Sequence, residues 1–265
     1  MAKIPKIIHQ IFFQGETAVP KKYQGYHETV IAHHPHWEHY FWDEAKSRTF
    51  IQEKYPWFIE VYDSYPHRIQ RCDAIRYFIL HYYGGFYIDM DVECLKPLDD
   101  LLEDYELILS KLVGFNNAIM GSVPKHPLWL KVFDELQERK DKLPSNSNIN
   151  ALLKKSMPYY VCYSTGPMLF DDCVIAGSFH KCSTVRVCPG YIFEPGAPME
   201  IDEKIIQQNS TEHSYTIHHM ASLWLPLHHR IISAIFSVGA KVYWNIISLF
   251  KKVRWAEAHR TQRSN

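Results

Sequence analysis

The chain has six cysteines, Cys72, Cys94, Cys162, Cys173, Cys182 and Cys188, with no C-x-x-C pair and no zinc-ligand spacing among them, so a cysteine-built metal framework is excluded. An excess of either charge is missing too. Lys+Arg 29 against Asp+Glu 29 leaves a formal charge of zero, and nothing recommends nucleic acid as a partner. There is no internal repeat, no low-complexity segment and no secretory leader before Ile4. A reducing, cytoplasmic setting is therefore expected, with peripheral placement at the inner face of a membrane as the extension.

What is present suits a core-forming enzyme. At 265 residues, 46% hydrophobic and 14% aromatic, the chain can bury a large core, and its length fits one domain with embellishments. Lys6 to Phe12 reads as a buried strand, Tyr26 to Ala32 as a helical segment, and Trp37 to Trp42 as a strand whose Asp43 caps a helix through Tyr55. Phe86 to Val92, Leu107 to Ser110 and Ala118 to Val123 read as short strands, alternating with helices such as Leu128 to Lys140 and Asn148 to Ser156. Such alternation predicts a mononucleotide-type α/β domain with a mostly parallel sheet, which binds ligands beyond the carboxyl ends of its strands.

The richest stretch is Tyr82-Tyr83-Gly84-Gly85-Phe86-Tyr87-Ile88-Asp89-Met90-Asp91. It follows a helical pattern over Ile69 to Tyr83, with Cys72, Ile75, Ile79 and Tyr83 as one buried stripe, and Asp73 and Arg76 together on its flank. In an extended segment Asp89 and Asp91, at i and i+2, point to one face. Two carboxylates that close repel unless a cation lies between them, and hard oxygen ligands suit Mg2+ or Mn2+ carrying a diphosphate. That is the chemistry of a glycosyltransferase that uses a nucleotide sugar. A haloacid-dehalogenase-like phosphatase also ends a strand in Asp-X-Asp, with the first Asp as nucleophile, but Glu93 stands where its Thr is usual. A non-catalytic protein that binds sugar nucleotides is the third alternative.

Arg71-Cys72-Asp73-Ala74-Ile75-Arg76-Tyr77 through Gly84-Gly85-Phe86-Tyr87-Ile88-Asp89-Met90-Asp91-Val92 resembles the signature of a DXD-containing sugar transferase family. That family includes the yeast initiating outer-chain mannosyltransferase and the mannosyl-inositol-phosphorylceramide synthases; the large clostridial glucosylating toxins are more distantly similar. Ile4 to Phe12, Asn117 to Met120, Thr165-Gly166-Pro167 and His218-His219-Met220-Ala221-Ser222-Leu223-Trp224 match its other blocks in order.

The resemblance implies a GT-A type α/β domain over residues 1–228, a divalent metal, and retaining transfer of a hexose from GDP-mannose or a UDP-hexose to a glycan or lipid-linked acceptor. It implies that Asp73 and Arg76 bind sugar hydroxyls, that Tyr87 and Asp89 touch nucleotide or sugar, and that Asp91, with Asp89 and His219, holds the metal. Ile8, His9, Gln10 and Phe12 fall on the first, nucleotide-side strand, with Phe12 where many relatives have a base-stacking Trp. Asn117, Ser222 and Trp224 would complete the sugar and phosphate contacts.

Residues 229–265 read differently. Ile231 to Phe250 is apolar but broken by Lys241 and Asn245, and Lys251-Lys252-Val253-Arg254-Trp255 follows. A central lysine costs about 2.5 to 3.5 kcal/mol on insertion scales, which disfavours spanning. An amphipathic helix at a membrane interface and a helix docked on the domain's own core are the two expectations.

Overall fold

Central strands of a parallel sheet are covered on both faces and so carry little polar alternation, which is the pattern of β1 (Ile7–Ile11) and β3 (Gly85–Ile88). The computed structural model describes residues 3–102, 104–112, 114–142, 157–195 and 212–219. With β2 (Glu38–Trp42), β5 (Leu107–Lys111), β6 (Phe115–Ser122) and β7 (Val185–Pro189) these strands form a six-stranded sheet ordered β2-β1-β3-β6-β5-β7. β1 runs parallel to β2 and β3, and β5 parallel to β7. β6 is antiparallel to both β3 and β5, and with β5 it forms a hairpin because the short link from Lys111 to Phe115 allows no crossover.

Helices α1 (Lys21–His33), α2 (Glu44–Lys54), α3 (Ile59–Ser64), α4 (Arg68–Tyr83), α5 (Leu128–Arg139), α6 (Met157–Ser164), α7 (Pro167–Ala176) and α8 (Gly190–Phe193) flank the sheet. α1 begins at Lys21, a turn earlier than its apolar pattern suggested. The cap at α2 forms as expected, Asp43 accepting from the Lys46 amide at 2.7 Å. One core, including Trp42, Phe50, Tyr55, Phe58, Phe78 and Phe133, packs where α2, α4, α5 and α7 cover one face. The other, including Ile8, Val30, Trp37, Phe86, Ile88 and Phe193, lies across the sheet from it.

Two expectations change. α4 is buried continuously from Asp73 to Leu80 and not along one stripe, since it lies between the sheet and further helices. The strand expected from Phe86 to Val92 breaks at the two acids. β3 ends at Ile88, Val92 N donates to Asp89 O at 3.2 Å across a tight turn, and β4 (Val92–Cys94) pairs antiparallel with β8 (Thr216–His218) in a separate two-stranded sheet. Polar groups of that density are not buried inside a sheet, so the chain leaves it there. The helix expected over Asn148 to Ser156 and the tail from residue 229 lie outside the described residues. Among the described residues no helix is long and apolar enough to cross a membrane.

Gly84 and Gly85 join α4 to β3 with φ of +66° and +86°. A Cβ at Gly85 would stand 2.4 Å from Ile7 O, so backbone of β1 occupies the place of a side chain. His9 secures the same junction: Trp42 Nε1–H donates to His9 Nδ1 at 3.3 Å, which leaves Nε2–H to donate to Gly84 O at 3.0 Å. Burial drives the His9 pKa down to about 3, with Lys46 adding to the fall and the Gly84 bond opposing it.

The folded state therefore keeps His9 neutral while an unfolded chain protonates it near 6.5, so this stability is present above 6.5 and lost as pH falls toward 3. Moving from pH 7.5 to 5, wild type should lose about 2 kcal/mol more than His9→Gln in urea unfolding. Equal losses in the two proteins would show that His9 takes a proton in the fold.

Candidate active site at the end of β3

Blocks far apart in sequence meet beyond the carboxyl end of β3. Arg76, nearly fully enclosed on α4, donates from Nη2 to Asp73 Oδ1 at 2.7 Å and from Nη1 to Asn117 O at 2.9 Å. Its Nη1 also lies 3.4 Å from Asp89 Oδ1, and its guanidinium carbon 4.6 Å from the centre of the Tyr87 ring. The Tyr87 hydroxyl donates to Asp89 Oδ1. Thr165 Oγ1 donates to Asp73 Oδ2 at 3.3 Å, while the Tyr77 hydroxyl accepts from Asn117 Nδ2 at 2.8 Å and donates to Thr165 O at 2.9 Å. Asp73, Arg76, Asn117 and Thr165 thus form one buried network whose open edge is Asp89.

Asp89 and Asp91 converge despite the turn. Their carboxylates and His218 each offer one ligand atom, and these atoms all lie within 4.8 Å of one another. His218 Nε2 is 3.4 Å from Asp91 Oδ1, and its Nδ1 is 3.5 Å from Glu194 Oε2. The sequence reading expected His219 among the metal ligands; among the described residues it is its neighbour His218 that lies with Asp89 and Asp91. Adjacent residues on an extended segment point to opposite sides, so His219 turns away. It stacks on Tyr26 at 4.2 Å, and its Nε2 meets Glu93 Oε2 at 3.0 Å.

Charge within the site is set by burial and by close pairs. Burial pushes the Asp73 carboxyl up to about 6 against the pull of Arg76. Burial also raises Asp89, with Asp91 adding to the rise while Arg76, His218 and the Tyr87 hydroxyl oppose it. His218 goes the other way: burial alone would depress it, but Asp91 and Glu194 together hold it well above the ordinary histidine value.

The remaining sequence candidates divide by exposure. Ile8 and His9 are enclosed, and His9 uses both ring nitrogens internally, so neither presents a free polar atom to a ligand. Gln10 accepts from His27 Nδ1 at 2.5 Å, and its Nε2 is buried with no partner, as is Nδ1 of His219. Phe12, half-buried, stands just past the end of β1. Ser222 and Trp224 lie outside the described residues.

His218 and Glu194 are the residues that sequence reasoning missed. For His218 the signal was there, in the His-His pair, but strand phase decides which member faces inward. For Glu194, one acid between Phe193 and Pro195, no local signal existed.

A divalent ion of the Mn2+ or Mg2+ type fits this donor set. Two carboxylate oxygens and an imidazole nitrogen suit Mn2+ in particular, and three protein ligands leave positions open for phosphate oxygens.

Residues 20–108 match the family described as the glycosyltransferase sugar-binding region containing DXD motif. The chain is 43% identical over 137 residues to inositol phosphoceramide mannosyltransferase 2 of Schizosaccharomyces pombe, covering 51% of this chain and 39% of that protein. Over 139 residues it is 43% identical to mannosyl phosphorylinositol ceramide synthase CSH1 of Saccharomyces cerevisiae, covering 52% and 36%. The chain thus spans about two-fifths of the length of the curated relatives it matches. In fold it is similar to the ligand-free glycosyltransferase domain from the YGT toxin, with a TM-score of 0.56 at 8% identity over 71% of this chain and 81% of that one. The six-stranded α/β architecture is accordingly of the GT-A type, and residues 20–108 are similar to the sugar-binding region of DXD-containing glycosyltransferases.

Proposed function

We propose that this protein is a metal-dependent, retaining mannosyltransferase that takes mannose from GDP-mannose and passes it to a hydroxyl of an inositol phosphoceramide-type acceptor. The observation that carries the reading is the convergence of Asp89, Asp91 and His218 beside the buried Asp73–Arg76 pair. The named activities of the relatives supply the sugar and the acceptor class.

Asp91, Asp89 and His218 would hold the ion, which when bound supplies positive charge against the diphosphate as the sugar–phosphate bond breaks. Arg76 holds Asp89 in place through its guanidinium, and Tyr87 fixes the same oxygen by its hydroxyl. Asp73 and Arg76 border the sugar side, where they orient donor hydroxyls. Phe12 offers a stacking face for the base, and Gln10 Nε2 a free donor near the strand end. Asn117 commits its side chain to Tyr77, so its part is to brace this pocket. The apolar run from Ile231 to Phe250 and the basic stretch after it would give the chain affinity for the lipid surface on which such an acceptor resides.

The phosphatase alternative asks Asp89 to be a free nucleophile. Its Oδ1 is instead engaged by Tyr87 and Arg76.

A thermal-shift panel tests the proposal. GDP-mannose with Mn2+ should raise the melting temperature well above GDP-mannose with chelator, and above UDP-hexoses with Mn2+. Labelled mannose should then appear on inositol phosphoceramide in detergent. Failure of every nucleotide sugar to stabilise the protein would remove the donor from the reading.

A further inference from the structure

Glu194 is the most deeply enclosed acid near the site, at 1% exposure. A buried carboxylate costs several kcal/mol unless its oxygens are satisfied, so its partners define its purpose. Ser110 Oγ at the end of β5 donates to Oε1 at 2.6 Å, and Asn116 Nδ2 on β6 donates to Oε2 at 2.8 Å. The third partner is His218 Nδ1, 3.5 Å from Oε2. Two strands of the main sheet and the loop after α8 therefore aim one carboxylate at the back of one imidazole, whose other nitrogen faces Asp91.

We infer that Glu194 is a positioning residue for the metal site: it holds the Nδ1 proton of His218, so that when a metal ion displaces the Nε2 proton to solvent the freed lone pair faces Asp89 and Asp91. A histidine ligand must be neutral and in one tautomer, and a carboxylate on its far nitrogen fixes both tautomer and ring plane. Against the cost of burial His218 does most to keep that carboxylate ionised, and Ser110 and Asn116 add to this and aim it by donating to both of its oxygens. Glu194 touches neither substrate nor ion and acts only through His218. This inference rests on the metal-site reading above.

The full chain tests it by Mn2+ binding, read as loss of the free Mn2+ signal in electron paramagnetic resonance. Glu194→Gln keeps the volume and removes the charge, and should weaken Mn2+ binding about 10- to 100-fold, the usual cost of an outer-shell partner. Donor hydrolysis by the variant should return at saturating Mn2+, which a merely structural role would not give. Ser110→Ala leaves Glu194 in place but frees one oxygen, and should weaken binding several-fold in the same direction. Should Glu194→Gln fail to fold, the Ser110→Ala shift decides alone. Wild-type Mn2+ affinity in Glu194→Gln, or in Ser110→Ala where that variant decides, overturns the assignment, as does a Glu194→Gln defect that excess metal leaves uncorrected. Absence of Mn2+ binding in wild type, or unchanged binding in Asp91→Asn, would instead remove the metal site itself and this role with it.

Discussion

Asp91→Asn is expected to lower donor hydrolysis and transfer by at least about 100-fold, more than the loss of an outer-shell partner, while leaving the fold intact. The amide nearly keeps the shape of the carboxylate but withdraws one ligand charge from a cluster whose ligand atoms lie within 4.8 Å. Asp91 sits in a turn outside the main sheet and is half-buried, so the fold asks little of its charge. Asp89→Asn should be as damaging to activity but should also cost stability, because Asp89 Oδ1 takes both the Tyr87 hydroxyl and Arg76. Steady-state hydrolysis of GDP-mannose with a Mn2+ titration, alongside circular dichroism, separates these effects. An Asp91→Asn enzyme with full metal-dependent turnover would leave the DXD reading without its chemistry.

Arg76→Met should destabilise the protein by about 3–5 kcal/mol, the usual consequence of removing one partner from a buried ion pair. Arg76 and Asp73 have side chains 6% and 9% exposed, and Arg76 also faces Asp89. Methionine fills the space but leaves two acids close together in a poor solvent for charge. Adding Asp73→Asn should recover part of the loss, since one orphaned charge goes with it. Urea unfolding of wild type, single and double variants measures both. A single-variant loss below about 1 kcal/mol would mean that the pocket is wet and the pair screened, as at a surface.

How far the sequence could be read depends on whether its signals are local. The Asp43 cap, the glycine stop after Tyr83 and the buried first strand are written within a few residues each, and each stands where expected. Asp73 and Arg76 were legible as a pair because three residues of helix make them neighbours. The break between Asp89 and Asp91 was not. A short apolar run followed by two acids fits an extended strand as well as a strand and a turn, and only pairing with β6 and β8 decides between them.

His218 was lost to its neighbour because register, which fixes strand phase, is not visible in a two-histidine run. The continuous burial of α4 was hidden for a similar reason: Asp73 and Arg76 read as the flank of the helix until further chain covers them. Glu194 needed three segments from elsewhere before it meant anything.

The small sheet of β4 and β8 has a consequence for the order in which the molecule assembles. Glu93 and His219, which meet across it, are 126 residues apart in the chain. Closing a loop of that length is among the slowest and entropically dearest contacts a single domain makes. The main sheet can pair β1, β2 and β3 from residues 7–88 without waiting for it. His218 therefore reaches Asp89 and Asp91 only when β8 docks, and a chain caught before that step has two ligands of the three. A bound divalent ion would therefore favour the chain in which β8 has docked over one in which it has not, and would act as a clasp on that long-range contact.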